Sequence, residues 1–320
     1  MEILVIGGSG FIGTRLVDDL LRNPKCVVKI YDKVVSDKYP KLTILGDVRE
    51  QNDLIIACEG IDIIFNLAAE HADNVTPISL YEDVNVNGAK NIIHAAQVNE
   101  VKSIVFTSTV AIYGLNRGTP DESMAPMPFN EYGRTKYEAE KYFVKWAEDD
   151  EENSLTILRP AVVFGEANRG NVYNLLKQVA NRRFLMVGDG KNHKSMSYVG
   201  NIAGFLATRI EVGKGIEIFN FADKPDLSSA EIVQIVKDEM NITANIISLP
   251  YSIGLLAGYV FDFIALITGK KFPVSSIRIK KFCAETTVNT NRLAKSGFSS
   301  PYTIEDGLRK MINHEFKKSI

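Results

Sequence analysis

Tyr132-Gly133-Arg134-Thr135-Lys136 sets a phenol and an ammonium four residues apart, and on a helix that spacing places both on one face. A lysine cation beside a tyrosine favours the phenolate and draws its pKa from about 10 toward working pH. Tyr132 then has the chemistry of a general base. Upstream, Thr107-Ser108-Thr109 closes an apolar run and offers hydroxyls at a strand end. Tyrosine and lysine also meet at this spacing by chance, simply to pack. What weighs against packing lies at the start of the chain.

There, Gly7-Gly8-Ser9-Gly10-Phe11-Ile12-Gly13 follows the run Ile3-Leu4-Val5-Ile6 directly and opens an amphipathic stretch, giving G-x-x-G-x-x-G at Gly7, Gly10 and Gly13. Glycines let the backbone turn tightly and approach a pyrophosphate, whose charge meets free N–H groups and the positive end of a helix. A flexible turn is the plain alternative, but strand, turn and helix are all in place. Phe11 and Ile12 belong to the same dinucleotide-contacting segment. About 20 residues past the glycines, Asp32 is placed to accept hydrogen bonds from an adenosine ribose and to repel a 2′-phosphate. That favours NAD over NADP, although the adjacent Lys33 tolerates the extra phosphate. Gly46-Asp47-Val48 closes a third strand with Asp47 set for the adenine amine, and Asn66-Leu67-Ala68-Ala69 closes a fourth with small residues against the dinucleotide. An oxidised nicotinamide would help Lys136 stabilise the phenolate.

The elements that must position these groups are legible as alternation. Short β-branched runs at 2–6, 27–31, 42–45, 61–67, 103–108 and 154–159 separate helical patterns at 12–22, 50–58, 79–98 and 132–148, which is how a parallel sheet with crossover helices reads. The expected fold class is α/β, a Rossmann-like doubly wound parallel sheet with a smaller C-terminal α/β substrate domain. Residues 1–165 with about 195–222 form the dinucleotide domain; 166–194 with 223–320 form the second, partly interleaved. A helix at 171–182, a strand at 217–221 and a helix from about 228 are expected beyond the first half.

With these motifs together, the chain resembles an extended short-chain dehydrogenase/reductase of the nucleotide-sugar epimerase/dehydratase type, UDP-hexose 4-epimerases included. The resemblance covers most of the chain and rests on Gly7 to Gly13, Ser108-Thr109-Val110-Ala111-Ile112-Tyr113-Gly114 and Tyr132 to Lys136. It implies that Thr109, four residues before Tyr113, completes a catalytic triad and hydrogen-bonds the reacting sugar oxygen. It also implies that Asn85, Thr107, Ser108 and Pro160 line the cofactor and that Lys136 bonds the nicotinamide ribose.

Dehydratases and decarboxylases of that family carry carboxylates beside the hydroxyl, because elimination needs extra acid/base chemistry. Here those positions are Val110 and Ala111. What remains is a site that can oxidise a carbinol and return hydride to a ketone, the minimum for what the resemblance implies: C4 epimerisation of a nucleotide-sugar, a UDP-hexose or UDP-N-acetylhexosamine, through a 4-keto intermediate. A dehydrogenase or reductase acting on a keto-sugar nucleotide or a sterol-like alcohol needs the same minimum and stays open, as Arg159-Pro160-Ala161-Val162 suits sterol-dehydrogenase-like members. A non-catalytic NAD-binding sensor would have no use for Thr109, Tyr132 and Lys136 together. Asn174 and Leu175, then Lys194 after Gly188-Asp189-Gly190, are similar to the family's diphosphate-binding segment, with Arg278 a second phosphate candidate and Thr286 roughly placed near the sugar. Helix packing and plain surface charge are their alternatives. His71, just past the fourth strand, is placed to approach nicotinamide or substrate phosphates, or to sit in its loop with a local partner.

Composition narrows the remainder. The 320 residues are 45% hydrophobic and 24% charged, with a formal net charge of -2, a soluble globular average without a basic field for nucleic acid. Cys26, Cys58 and Cys283 form neither a disulfide framework nor a zinc site, and the acidic run 148–153 reads as a solvated connection, so no metal is expected. No leader pattern follows Met1, and the cytoplasm is the expected location. Residues 252–268 are nearly uncharged but short for a bilayer, contain Asp262 and have Lys270-Lys271 beside them. A buried helix or subunit contact is the first reading, monotopic membrane association the second, and a span the least favoured. The resemblance implies a homodimer paired through 79–98 and 132–148.

Overall fold

The computed structural model describes residues 1–72, 75–211, 213–269 and 275–317. The chain forms two compact units. The first comprises Met1–Val163, Ser197–Asp223 and Val288–Tyr302. Its sheet contains β1 (Glu2–Ile6), β2 (Val27–Asp32), β3 (Thr43–Leu45), β4 (Ile63–Asn66), β5 (Ser103–Thr107), β6 (Ser154–Pro160) and β7 (Gly215–Phe221). All seven are parallel, in the order β7-β6-β5-β4-β1-β2-β3. This is a Rossmann-like doubly wound sheet.

A strand covered on both faces must be apolar throughout, and β1 is. Leu4 and Ile6 enter one core with Ile92 of α3 (Gly88–Val98), Phe143 of α4 (Glu131–Glu148) and Leu54 of α2 (Gln51–Ala57). Ile3 and Val5 point the other way, to Leu16 and Val17 of α1 (Phe11–Leu20) and Phe205 of α5 (Val199–Ala207). Ile6 pairs with Tyr31 on one side and Asn66 on the other, so β1, β2 and β4 end level at the point where strand order reverses. Crevices beyond such ends hold ligands.

Two boundaries differ from the sequence reading. The stretch 79–98 is not one regular helix: a turn at Ser79–Tyr81 passes into a π-helical segment, Glu82–Asn87, before α3. The wider turn carries Asn85 inward to bonds described below. Residues 288–302, expected in the second domain, pack in the first unit. Phe298 stands 5.3 Å from the Phe205 ring and 6.3 Å from that of Phe221, and Leu293 joins the same core. Aromatic burial recruits this late segment.

The second unit comprises Phe164–Met196, Lys224–Thr287 and Thr303–Ile320. It is mainly helical, with Asn171–Ala180, Ser229–Glu239, Tyr251–Thr268, Ser276–Cys283 and Ile304–Phe316 beside a short parallel pair, Met186–Val187 with Ser248–Leu249. Ser228 and Glu231 form a capping box that starts the Ser229–Glu239 helix, as S-x-x-E spacing dictates. The 252–268 stretch is a helix, but the expected burial is absent: of its 18 residues, Gly254 and Gly258 alone are buried. Lys270 and Lys271 lie outside the described residues.

Candidate active site

Tyr132 and Lys136 sit in the first turns of α4, whose start is fixed by the Asn130 side chain accepting the Gly133 N–H at 2.9 Å. Thr109 follows β5, and its hydroxyl accepts the Ala111 N–H at 3.1 Å and hydrogen-bonds the Tyr132 phenol. Close approach of the two segments depends on Gly133, where a Cβ would lie 2.7 Å from the Ala111 carbonyl oxygen. Thr109 and Tyr132 are therefore in contact, with Lys136 one turn further along α4. Lys136 is buried, with Nζ 4.1 Å from the Phe106 ring centroid.

The electrostatics depart from expectation. Crowding pushes the Tyr132 phenol up to about 12, against a smaller lowering by Thr109. Burial lowers Lys136 to about 7, partly opposed by the Glu140 carboxylate. Desolvation, which penalises the charged form of both groups, is the larger cause in each. Tyr132 rests as a phenol, and a further positive charge is needed to ionise it.

Around Gly7, φ is +79°, and a Cβ there would lie 2.8 Å from the Ala68 nitrogen; at Gly13 it would lie 2.4 Å from the Gly7 oxygen. Only glycine lets Leu67-Ala68 and α1 close on this turn. Gly10 starts α1 without a side-chain cap, and the first turn carries no acid. Its N–H groups and the positive helix end are left for an anion. Phe11, Ile12 and Gly13 follow in that first turn, with the Arg15 guanidinium 4.7 Å from the Phe11 ring.

Asp32, at the tip of β2, accepts the Ser9 N–H at 3.0 Å and the Val34 N–H at 3.1 Å. Carboxylate lone pairs remain for two ribose hydroxyls. Lys33 is exposed beside it. Leu67, Ala68 and Ala69 are half-buried past β4, Val48 and Pro160 are buried, and the buried Thr107 and Ser108 hydroxyls have no partner among the described residues. Glycine turn, uncapped helix end, ribose carboxylate and orphaned hydroxyls fit a dinucleotide.

The profile of the NAD dependent epimerase/dehydratase family matches residues 3–222. The N-acetyl-alpha-D-glucosaminyl-diphospho-ditrans,octacis-undecaprenol 4-epimerase of Escherichia coli O157:H7 is 48% identical over 98% of this chain and 95% of its own. The chain belongs to the NAD dependent epimerase/dehydratase family. A decarboxylating sterol-4-alpha-carboxylate 3-dehydrogenase of Candida albicans is 29% identical over 98% of this chain and 96% of its own. Among solved structures, the UDP-glucose 4-epimerase of Thermotoga maritima, 21% identical, superposes with a TM-score of 0.78 over 99% of both chains, which establishes the shared fold. NAD is the cofactor of this family member.

Several expected contacts are otherwise engaged. Asp47 is held by Arg49 through Nε at 3.0 Å and Nη2 at 2.7 Å, which keeps its carboxyl below the ordinary range. Asn85 spends its amide on Glu70, donating at 3.0 Å to the carbonyl and accepting at 2.8 Å from the N–H, and on the Thr135 hydroxyl at 3.0 Å. It ties the segment after β4 to α4. His71 is exposed on that segment.

In the second unit, Asn174 is exposed and Leu175 half-buried on their helix. Lys194 donates to the Lys281 and Ala284 carbonyls at 3.0 and 2.5 Å, and burial lowers it to about 8. Thr286 pairs by backbone with His193 and Ser195. Arg278 is exposed on the Ser276–Cys283 helix.

Sequence reasoning missed Glu140. It lies one turn past Lys136 and is buried against Arg159, which donates from Nε at 3.0 Å and from Nη2 at 2.6 Å. Arg159 also donates to the Tyr113 hydroxyl at 2.8 Å, which donates to Asn220 at 2.7 Å. The i, i+4, i+8 series Tyr132, Lys136, Glu140 was the available signal.

Proposed function

We propose that this chain inverts C4 of an N-acetylhexosamine carried on a diphosphate, with a polyprenol as the carrier. The observation that carries the reading is 48% identity, over nearly the full chain, to a relative named for that substrate. The Thr109–Tyr132 contact, with the buried Lys136 one helical turn away, supports the chemistry.

NAD, when bound, supplies a hydride acceptor for C4, the donor for its return, and a cationic ring. Tyr132 takes the proton of the C4 hydroxyl and restores it after the sugar has turned, while Thr109 bonds the same oxygen. Lys136, one turn past Tyr132, is the residue that would bond the nicotinamide ribose. Val110 and Ala111 offer no second acid or base, so elimination has no proton carrier. Val162, 44% exposed, places an apolar surface after β6 where a polar sugar contact would otherwise stand.

The same reading places the chain in the cytoplasm, where NAD is available, in the assembly of glycans from diphosphate-linked sugars. We also assign it a homodimer through α3 and α4, as the family resemblance implies.

The test uses GlcNAc-diphospho-polyprenol and UDP-GlcNAc, each deuterated at C4. A C4 epimer of the polyprenyl substrate that retains its deuterium, without NADH accumulating, is expected. Stoichiometric NADH release would overturn epimerisation in favour of the dehydrogenase alternative. Turnover confined to UDP-GlcNAc would move the carrier to a nucleotide.

A further inference from the structure

The Tyr251–Thr268 helix is bound to its own unit along a narrow stripe. At Gly254 an added Cβ would stand 2.5 Å from the Val187 side chain, and at Gly258 2.8 Å from the Ser276 Cα. Asp262, the one ionisable acid in the helix, turns toward the same side and accepts the Ser276 N–H at 3.1 Å. Most of the outward-facing remainder is apolar. Ile253, Leu256, Val260, Phe263 and Ile267 recur at alternating three- and four-residue intervals, each 50–69% exposed, and Leu266 is 82% exposed. Ile277, 59% exposed, adds to this surface from the Ser276–Cys283 helix packed alongside. Monomeric proteins rarely leave so continuous an apolar patch in water.

Charge distinguishes between occupants. The Ser276–Cys283 helix carries Arg278, Lys280 and Lys281, all exposed, and no acid. Lys280 reaches back over the Tyr259 ring, with Nζ 5.3 Å from its centroid, so the cationic edge adjoins the apolar face. Apolar side chains bordered by lysine and arginine match an interface between acyl chains and anionic headgroups. A second copy of this chain meeting the face symmetrically would bring three more cations to it. A span is disfavoured because the glycine stripe holds the helix along the folded unit.

We propose that the Tyr251–Thr268 and Ser276–Cys283 helices form a monotopic docking surface that seats this chain on an anionic phospholipid membrane. The choice of a bilayer rests on the polyprenol reading as well as on the charge. A polyprenyl tail resides in the hydrocarbon layer, and an enzyme seated at that layer meets the diphosphate where it emerges.

Co-sedimentation of the full chain with phosphatidylglycerol/phosphatidylcholine vesicles, and with phosphatidylcholine alone, tests this. Binding to the anionic vesicles and weakening by salt are expected. Leu256→Ser, Phe263→Ser and Ile267→Ser together should reduce binding at least tenfold while leaving NAD binding and turnover of a short, water-soluble prenyl analogue unchanged. Should that triple variant fail to fold, Lys280→Gln with Lys281→Gln keeps the test open, with an expected loss of about fivefold per lysine. Wild-type binding to vesicles with turnover of UDP-GlcNAc alone would defeat the polyprenol reading and uphold docking. Epimerisation of the polyprenyl substrate in detergent by a chain that binds neither vesicle would overturn docking and leave that reading standing. Variants that split a wild-type dimer yet bind vesicles normally would also overturn it, assigning the face to a second copy.

Discussion

Two helices of this chain are 18 residues long and use that length in opposite ways. Glu131–Glu148 is rich in charge, yet buries eight residues, including Lys136 and Glu140. Tyr251–Thr268 has Asp262 as its one charged residue, yet buries two glycines. Polarity alone would have exchanged their places. In the first, the parallel sheet supplies apolar neighbours for Phe143 and Trp146, and Arg159 pairs with Glu140, so polar groups can be carried inside. In the second, the outward side chains stay exposed among the described residues. Burial follows from the partners an element is offered, and an apolar residue without one marks a surface looking for it.

The sharpest way to break this contrast is at the buried helix. Tyr132→Phe removes the group that carries the C4 proton, and positioned acid/base groups contribute roughly 10²–10⁴ in rate. The variant should bind NAD normally by calorimetry and lose turnover by about that factor. A near-normal kcat would reduce α4 to a packing element.

Glu140→Ala comes next. Breaking a buried pair leaves Arg159 charged and uncompensated, at a cost of about 3–5 kcal/mol, which urea unfolding would register. Loss of its carboxylate should also lower Lys136 further, because Glu140 is what opposes desolvation there. If stability were unchanged, the polar interior of α4 would owe nothing to Arg159.

A smaller effect follows pH. Lys136 ordinarily titrates at 10.5 but at about 7 when folded, so between those values the unfolded chain binds more protons and stability rises with pH. Tyr132 acts in the opposite sense higher up. Its ordinary value of 10.0 becomes about 12, so its contribution is complete below pH 10 and is lost as pH climbs through 12. Without NAD, wild type should gain stability from pH 7 to 10 relative to Lys136→Met, measured as the difference in Tm. A flat difference would mean that Lys136 is not desolvated as described.

The contrast also explains how much could be read in advance. Apolar periodicity and the glycine turn are local signals, so the sheet, α1 and the Tyr132–Lys136 pair were legible residue by residue. The partners of Asp47 and Lys194 were not, because Arg49 and the distant Lys281 and Ala284 carbonyls meet them only in the folded chain. Val288–Tyr302 escaped for a similar reason: only the assembled cluster of Phe205 and Phe221 shows where Phe298 belongs. The exposed helix was the hardest, since an apolar run has the same pattern whether a core or a membrane receives it.

The smallest expected effect is the most pointed probe of that helix. Leu266 is 82% exposed, so Leu266→Ser removes little apolar surface that folding has taken from water, and exposed substitutions of this kind shift stability within about 0.5 kcal/mol. The matching change on the buried helix, Phe143→Ala, empties a site where the ring stands 4.6 Å from Phe106 and should cost about 3–5 kcal/mol. Urea midpoints of the two variants, measured without lipid, give the comparison directly. A Leu266→Ser loss approaching that of Phe143→Ala, and varying with protein concentration, would mean that the face is already covered by another copy. A loss within the small range, unchanged by dilution, leaves the apolar face free in solution and its side chains available for another surface.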